Sequence, residues 1–387
     1  MFVLYQVLNT ADSKACTAIF FLKQKVYSAR WLVYMLVQPI GTKEGTTMYR
    51  RTSIVCVGAA LALSMALLAG CGGVADKEPG SVQYVNSKRD LTESAAKQEY
   101  TQRVLYLRDA NGLLAPQFVG LPKSNSVTKQ VLNYLVSDGP VSNALPNGFQ
   151  ATLPADTEVN HVTIDQRGNA TADFTKQLLD TPAGGQQQVI QSIVWTLTQF
   201  PTVKTVTITV DGKTLNEWPS SKQEVGSALT RANGINQVFV DVADIAGSEP
   251  MTVYYISANN KGKTYDVPVT VRRAVTEDRV TSMVNALVNE PSASDVISPF
   301  DPNVRLTEKP KITNGTVYLH FNDALYDNKK AKTVNDQVLR SLVLTLTGDP
   351  AIQKVSIQIG STSKVMLESG KTLSGPVTRE FVDAAGV

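Results

Sequence analysis

Two stretches of this chain, residues 188–212 and 337–361, are versions of one another: "QVIQSIVWTLTQFPTVKTVTITVDG" and "QVLRSLVLTLTGDPAIQKVSIQIGS". Gln, Val, Ser, Val, Thr, Leu, Thr and Pro coincide at eight of the first fourteen positions. "VLYLRDANG" (104–112) answers "VYYISANNKG" (253–262), and "LNYLVSDGP" (132–140) answers "VNALVNEP" (284–291). "GNATADFTKQLLD" (168–180) answers "GTVYLHFNDALYD" (315–327), and the separation stays between 147 and 152 residues throughout. A period that long, present twice, is a duplicated domain and not a solenoid of short repeats. Whatever fold one half adopts, the other adopts too.

Each unit is readable on its own. Val189, Ile190, Ile193, Val194 and Leu197 recur at three- and four-residue steps, marking one helical face. Pro201 and Pro350 stop that helix. Val203, Val206, Ile208 and Val210 then lead a β-branched strand, and Gly168-Asn169 and Asn314-Gly315 sit where hairpin turns are needed. The expected order is strand, strand, helix, strand, strand, helix, strand. The fold class is therefore α+β: two tandem copies of a small domain, each a mixed or antiparallel sheet with two helices on one face. The copies are expected at 101–218 and 251–368. A connector over 219–250, with room for a short helix, separates them, and a tail over 369–387 has no assigned role.

The amino-terminal part is of another kind. Residues 52–70 carry no charge and follow Arg50-Arg51; about 19 apolar residues suffice to cross a bilayer. Small residues crowd the exit, Leu68-Ala69-Gly70-Cys71-Gly72-Gly73, and the whole 48–70 reads as a secretory signal. Leu68-Ala69-Gly70-Cys71 resembles the bacterial lipobox. That resemblance implies cleavage before Cys71 and a diacylglycerol on its thiol, a palmitate-type lipid anchor. The alternative is a retained transmembrane anchor with a chance cysteine; a twin-arginine export signal would rest on Arg50-Arg51 alone. Residues 1–47 do not fit a signal and are read as a start-site artefact or an extra leader, with translation starting near Met48. Residues 71–100 are polar and read as a lipidated flexible tether.

Composition supports an exported, two-domain protein. Residues 1–70 hold seven Lys/Arg and two acids, so removing them turns the formal charge from +3 to −2. The basic balance belongs to the leader, and the rest has no nucleic-acid footprint. Cys16 and Cys56 leave with the leader and Cys71 is the lipid site, so no thiol remains for a disulfide or a metal.

The lipobox, the duplicated unit and the helix-Pro-strand block "TLTQFPTVKTVTITVDG" with its second copy together resemble bacterial sporulation and spore-germination lipoproteins of the GerM type, which carry tandem GerM domains. The resemblance runs from Cys71 to about Leu367. It implies a non-enzymatic envelope protein, an assembly or adaptor component in sporulation or germination, held by its lipid at the outer face of the cell membrane. It also implies domains like the small ring-building modules of envelope-spanning assemblies. The implied partners are the membrane and envelope or sporulation proteins. Peptidoglycan and a membrane sensor kinase are the alternatives.

No catalytic, cofactor or metal site is expected. The only histidines, His161 and His320, lie on predicted strands and are not equivalent: His161 aligns near Glu308, and His320 falls where the first copy has Asp173. There is no GxSxG, HExxH or phosphate-binding glycine loop. Asp173, Asp180, Asp323 and Asp327 flank the Phe174 and Phe321 strands, and a wall glycosidase needs two carboxylates; caps and turns explain these without catalysis. Arg272-Arg273, Lys309, Lys311, Lys329, Lys330 and Lys332 read as a solvated charged face before they read as a site for anionic wall polymer. Tyr254, Tyr255, Tyr265, Tyr318 and Tyr326 enrich the second copy in tyrosine, mostly as core.

Overall fold

The first copy begins as a long antiparallel hairpin, β2 (Tyr100–Arg108) and β3 (Leu114–Pro122), with the short β1 (Gln83–Tyr84) against the other side of β3. It continues through α1 (Val127–Asn133), the hairpin β4 (Val159–Ile164) and β5 (Asn169–Phe174), α2 (Gln186–Leu197), β6 (Thr205–Val210) and β7 (Lys213–Thr214). The second copy repeats the order with β8 (Ser248–Ala258), β9 (Thr264–Ala274), α3 (Arg279–Val288), β10 (Lys311–Thr313), β11 (Thr316–Phe321), β12 (Thr333–Val334), α4 (Asp336–Leu346) and β13 (Lys354–Ile359). It ends in β14 (Val365–Leu367), β15 (Thr372–Leu373) and a last helix, α5 (Arg379–Ala384). This computed structural model describes residues 83–84, 100–140, 145, 148–237, 247–274, 278–289 and 295–384. The signal expected at 48–70, the Leu68–Cys71 motif, residues 1–47 and most of the tether lie outside the described residues.

The strands of the first copy divide into two sheets, and those of the second into the same two plus a small one, β12-β14-β15. One is the long hairpin; the other is mixed, with β4 antiparallel to β5 and β5 parallel to β6. The second copy matches it: β10 is antiparallel to β11, and β11 runs parallel to β13 from Thr316↔Lys354 to Phe321↔Ile359. The helix between the parallel strands is the crossover such a pair requires. Asn314 and Gly315, both at positive φ (49° and 72°), make the two-residue turn between β10 and β11 that their side chains suit.

The identities shared by the two helix blocks have a specific cause. β2 is an edge strand, and an open edge is a pairing hazard. Side chains of α2 and the segment after it cover it. Gln199 takes the Val104 N–H (2.9 Å) and returns a bond to its carbonyl (2.7 Å). Thr196 accepts the Tyr106 N–H (3.1 Å), and Ser192 donates to the Tyr106 carbonyl (2.7 Å). Arg108 pairs its backbone with Gln150. In the second copy Thr345 accepts the Tyr254 N–H at 2.9 Å, and Ile256 pairs with Ile297. Ser192, Thr196 and Thr345 are thus buried polar groups that complete a strand edge. Ser341, the counterpart of Ser192, is fully buried with an unpartnered hydroxyl.

Leu105, Tyr106 and Leu107 are all buried in β2, as are Val253, Tyr254 and Tyr255 in β8. Three successive buried residues mean a strand covered on both faces. The buried apolar side chains of both copies form one continuous cluster, so the repeats share a core instead of hanging as separate beads.

Candidate functional site

The histidines and carboxylates resolve into structural roles. His161 on β4 faces Asp173 on β5 across the sheet, Nδ1 to Oδ2 at 4.0 Å; in the second copy Glu308, in the bend before β10, lies 3.3 Å from His320 on β11, with acid and base exchanged. The exchange matches the sequence alignment. Asp173 is buried and accepts bonds from Thr209 Oγ1 (2.5 Å), Asn160 Nδ2 (2.7 Å) and the Gly212 N–H (2.8 Å). Burial pushes its carboxyl up, but the hydrogen bonds together outweigh burial and leave it below its ordinary range. Asp180 ends the short 3-10 turn Lys176–Asp180, and Asp323 opens the turn Asp323–Leu325. Asp327 lies beside Glu368 and holds that carboxyl above its ordinary range. The four aspartates therefore do not converge on one reaction centre.

Lys309, Lys311, Lys329, Lys330 and Lys332 are exposed, whereas Arg272 turns back onto Ser248 (3.0 and 2.8 Å). Tyr254, Tyr255 and Tyr326 are core residues, and Tyr318 is exposed. Among the described residues no group of His, Cys, Asp and Glu is arranged to hold a metal.

What the structure does bring together lies between the copies, and it comes largely from the segments expected to be connector and tail. Leu229 pairs with Val206 of β6 and Val377 with Val355 of β13, each by two backbone hydrogen bonds of 2.8–2.9 Å. The repeat thus runs past 218 and 368, through Leu229-Thr230-Arg231 and Val377-Thr378-Arg379. These added edges aim two arginines inward. Arg231 Nε donates to Thr198 Oγ1 (2.9 Å) and Nη2 to the Trp195 carbonyl (3.2 Å). Arg379 Nε donates to Thr347 Oγ1 (3.2 Å) and Nη2 to the Leu344 carbonyl (2.7 Å). The Arg231 guanidinium carbon lies 4.6 Å from the Trp195 ring centre and 5.9 Å from that of Tyr106; that of Arg379 lies 5.5 Å from the Tyr254 ring centre. These are cation–π distances.

Tyr106 and Tyr254, equivalent residues, both line the space between the copies, near enough for Tyr254 to act on the Tyr106 hydroxyl. Equivalent groups meeting is the mark of an isologous, approximately two-fold contact. Burial first, and then Tyr254, push the Tyr106 hydroxyl well above its ordinary range, with Arg231 and Arg379 pulling the other way. The hairpins meet as well, β3 against β9. Asn236 ties them: its Nδ2 donates to the carbonyls of Leu114 (2.7 Å) and Pro268 (2.8 Å), and its Oδ1 accepts the Leu114 N–H (2.8 Å). Tyr265 donates to Asp109 across the same boundary (2.8 Å) and stacks edge-on against Phe149 (4.9 Å). Its hydroxyl is pushed up to about 12, by burial first and by Asp109.

A cleft of about 680 Å³ opens at this meeting, lined by Tyr106, Trp195, Arg231, Tyr254, Arg340 and Arg379 among others. Arg340 of α4 is committed to Asp266 (2.6 Å) and Asp383 (3.3 Å), and Arg279 to Glu249 (2.8 Å) and Asp349 (3.0 Å). Burial would lower Arg340, but Asp266 and Asp383 keep it raised and charged. Sequence reasoning missed every arginine here. The signal available was a Thr-Arg pair recurring at the repeat spacing, Thr230-Arg231 and Thr378-Arg379.

With this geometry in view, the similarities of the chain become informative. A family model described as "Germane: Sporulation and spore germination" matches residues 104–216 and again 252–364. The chain is 38% identical over 351 residues to the spore germination protein GerM of Bacillus subtilis (strain 168), covering 84% of this chain and 95% of that protein. The solved tandem GerMN domains of the sporulation protein GerM from Bacillus subtilis match with a TM-score of 0.68 at 40% identity, covering 73% of this chain and 97% of that one. The solved first GerMN domain of the same protein covers 34% of this chain and 98% of its own length, at 45% identity and a TM-score of 0.33. Two matched repeats and 38% identity over most of both chains place this chain in the Germane family of sporulation and spore germination proteins.

Proposed function

We propose that this protein is a non-enzymatic assembly or adaptor component of the cell envelope in sporulation or spore germination, anchored to the outer face of the membrane through Cys71. The observation that carries the reading is the union of the two copies. Tyr106 meets Tyr254, Asn236 spans β3 and β9, and one apolar core runs through both, so the chain offers partners a single rigid two-domain body. A rigid body suits assembly better than a catalytic cleft that must close. The acid and base side chains favour the same reading, since His320 lies 3.3 Å from Glu308 and His161 4.0 Å from an Asp173 that already accepts three hydrogen bonds. A lipid at Cys71 would raise the effective concentration of this body against membrane-bound partners.

Crosslinking in sporulating cells followed by purification of the protein tests the reading. Recovery of defined envelope or membrane proteins, lost when the Tyr106–Tyr254 junction is disrupted, is the expected result. Firm retention on purified peptidoglycan, or a cleared band in a wall zymogram, would replace it with a wall-binding or wall-modifying function.

A further inference from the structure

We infer that the cleft between the two copies is a binding site for an oxyanion-bearing ligand, a carboxylate or a phosphoryl group, held between Arg231 and Arg379. The inference goes beyond the adaptor reading and stands or falls without it.

The four arginines of the cleft are not in the same state. Arg340 and Arg279 each face two carboxylates, Asp266 and Asp383 for the one, Glu249 and Asp349 for the other. Those four acids thereby have cation partners of their own. Arg231 and Arg379 differ: among the described residues neither has a carboxylate within 4 Å. Both are half-buried; Asp383, beyond 4 Å, acts on Arg379, whereas Arg231 has no carboxylate paired with it among the described residues, and a guanidinium taken partly out of water is costly unless its donors are met.

The donors of Arg231 are met on one side only, and those of Arg379 follow the same pattern with Tyr254 added. Threonine and a helix-end carbonyl take Nε and Nη2 of each, while aromatic faces fix the plane of each guanidinium. The Nη1 group of Arg231 donates to nothing among the described residues, and the Tyr254 hydroxyl bonds the Arg379 side chain at the junction. A planar fork locked along one edge and open along the other is what bidentate recognition of a carboxylate or phosphate needs. Arg231 turns such a fork to the cleft, and Arg379 of the other repeat, which Tyr254 also reaches, adds its guanidinium to the same space. At about 680 Å³ the space is of the size that small ligands occupy, and it lies where such sites concentrate, at a domain interface. Trp195 and Tyr106 give the ligand's carbon frame an apolar wall, and the two guanidinium groups give its anionic ends their partners.

The test is calorimetric titration of the purified full-length protein with citrate, succinate and inorganic phosphate, each against sodium chloride at equal ionic strength. Thermal unfolding is followed in parallel. One saturable site per chain and a rise in Tm with at least one of these anions are expected. Arg231→Gln should weaken that binding at least tenfold, and Lys311→Gln, on the exposed β10 strand, should leave it unchanged. Arg231→Lys keeps the charge and loses the fork; it should bind several-fold more weakly than the parent while melting near it. The ranking of the carboxylates against phosphate assigns the anionic group. No saturable heat and no Tm shift beyond chloride in the unsubstituted protein would overturn the inference, as would equal affinity in Arg231→Gln.

Discussion

Arg231 and Arg379 make the same pair of hydrogen bonds in the two halves of the molecule, Nε to a threonine hydroxyl and Nη2 to the carbonyl three residues before it. Thr198 and Thr347, the acceptors, in turn donate to the carbonyls of Val194 (2.8 Å) and Val343 (2.6 Å). A hydroxyl has one proton to give and lone pairs to spare, so one threonine can close its helix and receive an arginine at once. The family's duplicated domain is therefore finished by a segment that the helix-and-strand pattern does not reveal.

Loss of either arginine should cost stability, because a charge-assisted hydrogen bond and a cation–π contact go together. Arg379→Ala is expected to destabilise by about 2–3 kcal/mol, and Arg231→Ala by a similar amount. The double variant should fall short of the sum, since Tyr106 and Tyr254 join the two sites. Urea midpoints of the four proteins measure both effects; strict additivity would mean that the junction does not couple the copies.

Asp266 should prove more demanding. It and Arg340 are 2.6 Å apart and nearly buried, with side-chain exposures of 10% and 13%. Asp266→Ala would leave a buried guanidinium with Asp383 as its one carboxylate beside the Val382 carbonyl, and a cost of about 3–5 kcal/mol is expected. Asp383→Ala, whose carboxylate is more exposed and more distant, should cost less. Denaturation curves for the two variants should show that order.

Asp173 carries a pH dependence whose direction follows from its environment. Its folded-state carboxyl lies below the unfolded value, so its contribution is complete above the unfolded carboxylate range and is lost as the pH falls through the folded one. Asp173→Ala is expected to destabilise by about 2–3 kcal/mol at neutral pH, where three donors lose their acceptor. The gap from the parent protein should narrow below about pH 4. Equal losses at pH 7 and pH 3 would contradict this account.

Cys71 governs location on the proposed reading. Cys71→Ala should abolish lipid attachment and leave the precursor uncleaved, so that metabolic labelling with palmitate is lost and the mature form disappears from the membrane fraction. A substituted protein that fractionates and migrates as the parent does would put a membrane span in place of the lipid anchor.

The order of elements was legible because burial leaves periodic marks. Val189, Ile193 and Leu197 show a helical face, and Val206, Ile208 and Val210 a strand, in each copy. Asn314-Gly315 announced its turn because few residues other than Asn and Gly accept positive φ. The alignment set His161 near Glu308 and His320 opposite Asp173, but that these four make two acid–base pairs was decided by the fold. Arg231 and Arg379 were not legible. They sit among Gly, Ser, Ala and Pro residues with no periodicity, and their partners Thr198 and Thr347 are distant in sequence.

By itself, the sequence determined that one α+β unit is built twice, with the same succession of strands and helices, because period and turn chemistry are local properties that survive in the linear chain. Only the tertiary structure decided that equivalent tyrosines meet, that Asn236 ties β3 to β9, and which arginines find carboxylates and which do not. Those outcomes depend on distances between residues far apart in the chain, and a guanidinium's partner is set by where the fold brings an oxygen within reach.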